Sequence, residues 1–156
     1  MMIKIEIPGR KTLEINYVVL DYNGTIAADG ELLPGAAEKI KELCGLAEVF
    51  VLTADSYGTA EAQCGGLGAA VKTFPRAGAA ACKEEIVRAL GGGAACVGNG
   101  FNDIEMFDAA ELSIAVMDRE GVCAALLPHA DILVRSALDG LDLLLNTERV
   151  KATLRT

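Results

Sequence analysis

The chain has 156 residues, enough to bury a core without metal or disulfide staples, and 52% of them are hydrophobic with no Trp, so an aliphatic core is expected. A formal charge of −8 leaves no basic stripe to displace phosphate counterions and argues against a nucleic-acid partner. No run approaches the ~20 apolar residues of a membrane span, and the start lacks the apolar segment of a signal peptide, which points to a cytoplasmic protein.

A mean hydropathy of +0.35 is high for such a chain. It calls for a sheet covered on both faces, or for apolar surface buried in a homo-oligomer. The five cysteines (Cys44, Cys64, Cys82, Cys96 and Cys123) are odd in number, widely spaced and form no CxxC pair. They read as small buried thiols of a reducing compartment rather than as a redox or metal set.

"MMIKIEIPGRKTLEI" alternates apolar and polar residues on either side of Pro8-Gly9, the pattern of a two-stranded ribbon over residues 1–15. "YVVLD" follows as a buried strand. "LPGAAEKIKELCG" has Pro34 near a helix start, apolar residues at helical spacing and Gly45 as a stop. "EVFVLTAD" is a second buried strand, followed by a helix from about Ser56 to Cys64. "AAVKTF" is a third, followed by a helix from about Ala79 to Leu90 that holds Lys83. "AACVGNG" is a fourth strand running into the helix "NDIEMFDAA", and "LSIAV" and "DILV" complete the strands. Short helices are expected near Glu120 to Leu126 and Leu138 to Leu145, with "KATLRT" fraying at the end. Alternating strands and helices imply right-handed crossovers and a parallel sheet with helices on both faces. No linker, repeat or low-complexity tract divides the chain, so residues 1–156 read as one doubly wound, Rossmann-like α/β domain with an N-terminal β-hairpin.

In an open α/β sheet, ligands sit beyond the carboxyl ends of the strands. Asp21 follows the first buried strand, Thr53 and Asp55 the second, and Asn99, Asn102 and Asp103 the fourth. Lys83 lies near the start of the helix after the third. Acids, a hydroxyl and an ammonium converging on one crevice suit a phosphate and Mg²⁺. They supply a carboxylate nucleophile, oxygen ligands for a hard cation and donors for phosphoryl oxygens.

"DYNGT", "LTAD", Lys83 and "GNGFND" stand in the order and spacing of the four motifs of the haloacid dehalogenase-like superfamily, which the chain resembles. More closely, residues 17–147 look like the phosphorylation domain of P-type ATPases and its soluble, stand-alone relatives. "VLTADSYGTA" is similar to the pumps' "LTGDxxxTA", and "VGNGFNDIEMF" to their "VGDGxNDxxAL". "IAVMDREGVCAALLPHADILV" resembles the segment that follows there.

The resemblance implies a Mg²⁺-dependent phosphatase or phosphotransferase with an aspartyl-phosphate intermediate, acting on a phosphorylated small molecule or a phosphoprotein. Its catalytic set would be Asp21 as the nucleophile, Asn23, and Thr53 and Lys83 as phosphoryl-oxygen donors. Tyr22, Gly24, Thr25, Ala54 and Asn102 fall where the family holds phosphate and substrate, with loop N–H groups near Gly24 and Thr25 facing the phosphate. The metal would take Asp21, the backbone carbonyl of Asn23, and Asp103 together with Asn99.

Two positions depart from the family. Its phosphatases carry a second Asp two residues after the nucleophile, to protonate the leaving group and then activate water. Asn23 has no titratable proton, and the loss of such catalysis is worth ~10²–10⁴-fold in rate. At Asn99 the family usually has an acid; an amide oxygen still ligates Mg²⁺ but removes one negative charge, which implies weaker metal binding.

Other readings stand beside these. The same fold, slowed by the two Asn residues, suits a non-catalytic or regulatory module that binds phosphate or a partner. A response-regulator receiver also uses Asp, Thr and Lys, but wants an acidic pair after the first strand and its acceptor Asp after a later one. Lys72 is an alternative to Lys83. Asn102 suits a cap of the following helix, Asp55 suits either a cap or the leaving-group side, and His129 reads as structural or exposed. The intervals from Thr25 to Thr53 and from Thr53 to Lys83 are too short for a cap domain. An open crevice and the ribbon's edge and apolar face make a homo-oligomer, by default a dimer, the expected assembly.

Overall fold

The computed structural model describes residues 1–54 and 58–156 of the chain. The candidate Asp55 and the expected helix start at Ser56 lie outside the described residues.

The ribbon consists of β1 (Ile3–Ile5) and β2 (Leu13–Ile15), antiparallel with Ile3 opposite Ile15. Strand alternation turns Ile3, Ile5, Leu13 and Ile15 inward, and Lys4 and Glu14 outward. The Asn16 and Tyr17 N–H groups donate to the Gly93 carbonyl at 2.9 and 3.1 Å and tie the ribbon to the main body. The apolar face is buried in the protein's own core, so it needs no second subunit for cover.

The main sheet starts with β3 (Tyr17–Asp21). Then come a small hairpin of β4 (Ala27–Ala28) and β5 (Glu31–Leu32), α1 (Ala36–Cys44), β6 (Glu48–Thr53), α2 (Thr59–Cys64), β7 (Ala70–Thr73), α3 (Ala79–Arg88) and β8 (Ala94–Gly98). A 3-10 turn (Phe101–Asp103) leads into α4 (Ile104–Asp108). β9 (Leu112–Val116), a further 3-10 segment (Ala124–His129), β10 (Ile132–Val134), α5 (Ala137–Leu145) and α6 (Glu148–Leu154) follow.

The six main strands pair in the order β10-β9-β8-β3-β6-β7, all parallel. The chain winds from β3 outward through β6 to β7, then returns to β8 on the other flank of β3 and winds the opposite way. A reversal of this kind opens a crevice at the carboxyl ends of the central strands. Asp21, paired in register with Leu52, ends β3 there.

Each central strand feeds both faces of the sheet. Val18, Leu20, Val49, Val51, Ala95 and Val97 enter one apolar layer; Val19, Phe50, Leu52, Ala94 and Cys96 enter the other. Burial on both faces is why these strands read as unbroken apolar runs. α1 lays Ala36, Ile40 and Leu43 on the first layer at helical spacing, and its Lys39 reaches Asp142 of α5 at 2.6 Å. Truncating the fully buried Ile40 to Ala would cost about 2–5 kcal/mol.

Two terminal expectations are corrected. The helix placed near Glu120 to Leu126 starts later: Gly121 sits in a turn with φ +78°, paired with Asp118, and the following 3-10 segment contains Pro128. The end of the chain does not fray. α6 buries Val150, and the Thr156 N–H donates to the Pro8 carbonyl at 3.2 Å beneath the ribbon's turn. Among the five free cysteines, Cys64 and Cys96 are buried, whereas Cys44, Cys82 and Cys123 are only partly so.

Candidate active site

The β3 loop doubles back at once after Asp21. The Tyr22 carbonyl accepts from the N–H groups of Thr25, Ile26 and Ala27 at 3.2, 3.1 and 3.0 Å. Gly24 has φ +82°, and a Cβ there would meet Asn99 Nδ2 at 2.5 Å, so both conformation and space require glycine. Asn23 bridges to Ala27 and lines the cleft.

This loop differs from expectation in two respects. The N–H groups of Tyr22, Gly24 and Thr25 are spent on Leu52, Ala27 and Tyr22 carbonyls, so they are not aimed at a phosphate. The Tyr22 ring is fully buried and its hydroxyl donates to the Gly30 carbonyl at 2.8 Å, which makes Tyr22 a core residue rather than a cleft residue.

Lys83 is brought in by α3. Ala79, Lys83 and Val87 form that helix's buried stripe, so the lysine occupies a position that core packing would give to an apolar residue. Its ammonium donates to Asp21 Oδ1 at 2.9 Å, Asn102 Oδ1 at 2.9 Å and Asp103 Oδ1 at 2.8 Å. Lys72 instead lies over the Phe50 ring, 5.2 Å from its centre, on the edge of the sheet.

Asp103 is fully buried. Its Oδ2 accepts from the Asn99 and Gly100 N–H groups at 3.1 and 3.0 Å, reaching back over the start of the 3-10 turn as a capping acid does. Its carboxylate therefore fixes both the loop after β8 and the lysine. Thr25 Oγ1 lies 3.0 Å from Asp21 Oδ2 and 3.1 Å from Asn99 Oδ1, and joins the two loops. Asn99 Nδ2 donates to the Gly121 carbonyl at 3.2 Å.

Above this layer lies a cleft of about 500 Å³ lined by Asp21, Asn23, Thr53, Ala54, Lys83, Asn99, Gly100 and Asn102. Phe74, Arg76, Ala79 and Glu120 also line it, and sequence reasoning missed all four. A usable signal existed for Glu120, because "MDREG" follows a buried strand at the carboxyl edge of the sheet. Asn102 faces the cleft and binds Lys83 rather than capping α4. His129 is distant in role, with its Nδ1 2.8 Å from Asp108 Oδ1 at an exposed site.

The electrostatics follow from burial. Desolvation, reinforced by the charge of Asp103 and opposed by Lys83 and Thr25, raises the Asp21 carboxyl to about 7. Burial works against the Lys83 ammonium, but Asp21 and Asp103 outweigh it and hold the lysine above its ordinary value. The cluster thus carries more buried negative charge than one lysine neutralises, which fits a hard divalent cation. Among the described residues no group of three or more His, Cys, Asp or Glu side chains gathers to hold a metal, so amide or carbonyl oxygens and water would complete the shell of a Mg²⁺ ion.

Over 59 residues the chain is 44% identical to an uncharacterized protein of Methanocaldococcus jannaschii, a match covering 38% of this chain and 63% of that relative's length. The fold is similar to the cobalt-bound deoxy-D-mannose-octulosonate 8-phosphate phosphatase of Haemophilus influenzae, with TM-score 0.70, 16% identity and coverage of 91% of this chain and 94% of that one. The 3-deoxy-D-manno-octulosonate 8-phosphate phosphatase of Moraxella catarrhalis, solved with magnesium, phosphate and a KDO molecule, matches at TM-score 0.64 and 15% identity over 90% and 94% of the two chains. At such identities the likeness shows the fold alone. A zinc-transporting PIB-type ATPase in its E2.Pi state matches at TM-score 0.58 and 29% identity, over 79% of this chain and 20% of the pump. No helix among the described residues is long and apolar enough to cross a membrane. A family model for haloacid dehalogenase-like hydrolases matches residues 4–111, more than half of the chain, and the protein belongs to that family.

Proposed function

We propose that the protein is a slow, Mg²⁺-dependent phosphohydrolase that passes through an aspartyl phosphate on Asp21. The observation that carries this reading is the pairing of Asp21, at the end of the central strand, with the buried Lys83 at 2.9 Å. A carboxylate attacks a phosphate only where cations cancel their repulsion.

In the first half of the cycle a carboxylate oxygen of Asp21 bonds to phosphorus and the ester P–O bond breaks, releasing the leaving group. In the second, water attacks the same phosphorus, the P–O bond to Asp21 breaks, and inorganic phosphate leaves. Lys83 and Thr53 hold phosphoryl oxygens, and Asn102, bonded to Lys83, helps to aim the ammonium. A divalent cation would be held by Asp21, the Asn23 carbonyl and the Asn99 amide oxygen, and supplies further neutralisation of the phosphoryl charge. Asp103 takes the part of a positioning residue rather than that of a metal anchor: it binds Lys83 and two backbone N–H groups, is fully buried and does not line the cleft.

Asn23 lines the cleft where the family places its acid, so the leaving group departs unprotonated by residue 23. Activated phosphate esters, which need little protonation, are the favoured substrates. With no cap domain in either interval, the open cleft accepts a small phosphorylated molecule or a phosphorylated protein loop.

The test is acyl-phosphate trapping: acetyl phosphate with Mg²⁺, a rapid acid quench, and mass spectrometry of the peptide holding Asp21. A phosphoryl adduct is expected in the wild type and not in Asp21→Asn, nor after EDTA. No adduct, with phosphate still bound reversibly, would favour the second reading, a regulatory module that binds phosphate without turnover.

A further inference from the structure

We propose that Glu120 is the general base that activates water against the aspartyl phosphate. This rests on the aspartyl-phosphate reading above. Among the described residues, Asp21 and Glu120 are the only carboxylates that line the cleft. Asp21 is the phosphoryl acceptor and cannot serve as its own base, and residues 23 and 99 are both amides.

The placement of Glu120 is built rather than incidental. It belongs to the turn after β9, closed by the Gly121 N–H donating to the Asp118 carbonyl at 2.9 Å. Asp118 Oδ2 accepts from the Ala137 N–H at 2.8 Å, which pins one end of the turn to the start of α5. At the other end the Cys123 N–H donates to the Asn99 carbonyl at 2.8 Å, and Asn99 Nδ2 donates to the Gly121 carbonyl at 3.2 Å. Glu120 is itself exposed. It lines the cleft, and none of the salt bridges among the described residues engages its carboxylate.

The same contact accounts for Asn99. A carbonyl can only accept, so the group facing Gly121 must be a donor. An amide meets that need while its oxygen meets Thr25; a carboxylate would set two acceptors against each other. The amide at 99 therefore holds the turn that carries an acid into the cleft. In the hydrolytic step the Glu120 carboxylate takes a proton from the attacking water, the new P–O bond forms, and the P–O bond to Asp21 breaks. Asp21 leaves as the carboxylate, and the proton on Glu120 passes to solvent.

The test uses Glu120→Gln, an isosteric change at an exposed position that leaves the fold intact. After acetyl phosphate loading and a chase, the aspartyl phosphate of Glu120→Gln should decay roughly ten- to a hundred-fold more slowly than that of the wild type, at an unchanged rate of formation. In an Asn23→Asp background, where position 23 supplies a base, the same change should cost little. Decay at the wild-type rate overturns the proposal, as does an equal loss in both backgrounds, which would mark a merely structural effect. A weakened Mg²⁺-dependent rise in Tm also overturns it, because the carboxylate would then serve the metal. An absence of any Asp21-dependent adduct in the wild type removes the parent reading itself, whereas an adduct whose decay ignores residue 120 removes this inference alone.

Discussion

Lys83 donates to Asp21 Oδ1 at 2.9 Å from a side chain that is only 4% exposed. The same ammonium holds Asp103, so its removal strands two buried carboxylates on the same few ångströms of protein. Breaking a buried ion pair by deleting one partner typically costs about 3–5 kcal/mol. Lys83→Met should therefore lower the unfolding free energy from urea titration by an amount in that range, and abolish adduct formation. Adding Asp21→Asn removes one stranded charge and should recover part of the loss. Equal stability of the single and double variants would mean that Asp21 is not a partner of Lys83 in solution.

Asp21 also sets a pH dependence whose sign can be worked out. Its carboxyl rises from 3.8 to about 7 on folding, by burial first and the Asp103 charge second. Between those values the folded state binds more protons than the unfolded one, so this group's contribution to stability falls as pH rises. It is fully present below about pH 4 and lost by about pH 7. Metal-free wild type should thus lose Tm across this window relative to Asp21→Asn, which cannot titrate. Mg²⁺ favours the ionised carboxylate, so its stabilising effect should grow over the same range. A Tm difference between wild type and Asp21→Asn that does not vary with pH would show that Asp21 is not held protonated.

Much of this arrangement was legible in the sequence, and the exceptions have physical causes. Apolar runs ending in Asp21, Thr53 and Gly98 identify strands and their carboxyl ends because a doubly covered sheet tolerates nothing else there. Lys83 was distinguishable from Lys72 by its place on the 79-83-87 stripe, a clue that helical spacing offers and motif order does not. The β4–β5 hairpin was missed although its turn holds Asp29 and Gly30, both at positive φ (53° and 83°) as Asp-Gly hairpin turns require. Strands of two residues leave too short a pattern to read. Arg76 was missed because an exposed charge on a loop looks like any other in sequence, and Glu120 although it follows a buried strand; the reversal of the winding brings those loops to one cleft. The buried Tyr22 ring was misread because motif order says nothing about which way a side chain turns.

Asn23→Asp places a titratable group two residues after Asp21. General acid–base help is worth ~10²–10⁴-fold, so steady-state turnover should rise by roughly one to three orders of magnitude. The gain should be largest on unactivated alkyl phosphates and smallest on p-nitrophenyl phosphate, whose leaving group needs little protonation. If the variant is no faster at saturating Mg²⁺, proton transfer does not limit the proposed reaction.

Asn99→Asp should separate two effects that the wild-type amide balances. A carboxylate beside the proposed metal position adds a full charge, and unit charges 4 Å apart attract by about 4 kcal/mol even at an effective dielectric of ~20. Mg²⁺ should therefore raise Tm at lower concentration than in the wild type. Without metal the new oxygen faces the Gly121 carbonyl, where the amide donated at 3.2 Å, and it joins Asp21 and Asp103 near one lysine. Metal-free Asn99→Asp should consequently be less stable than wild type, with the order reversed at saturating Mg²⁺. The loop that carries Glu120 loses a tether in the same change, so tighter metal binding need not bring faster hydrolysis of the aspartyl phosphate. A Tm curve displaced equally with and without Mg²⁺ would place residue 99 outside the metal's reach and leave its contact with Gly121 as its whole role.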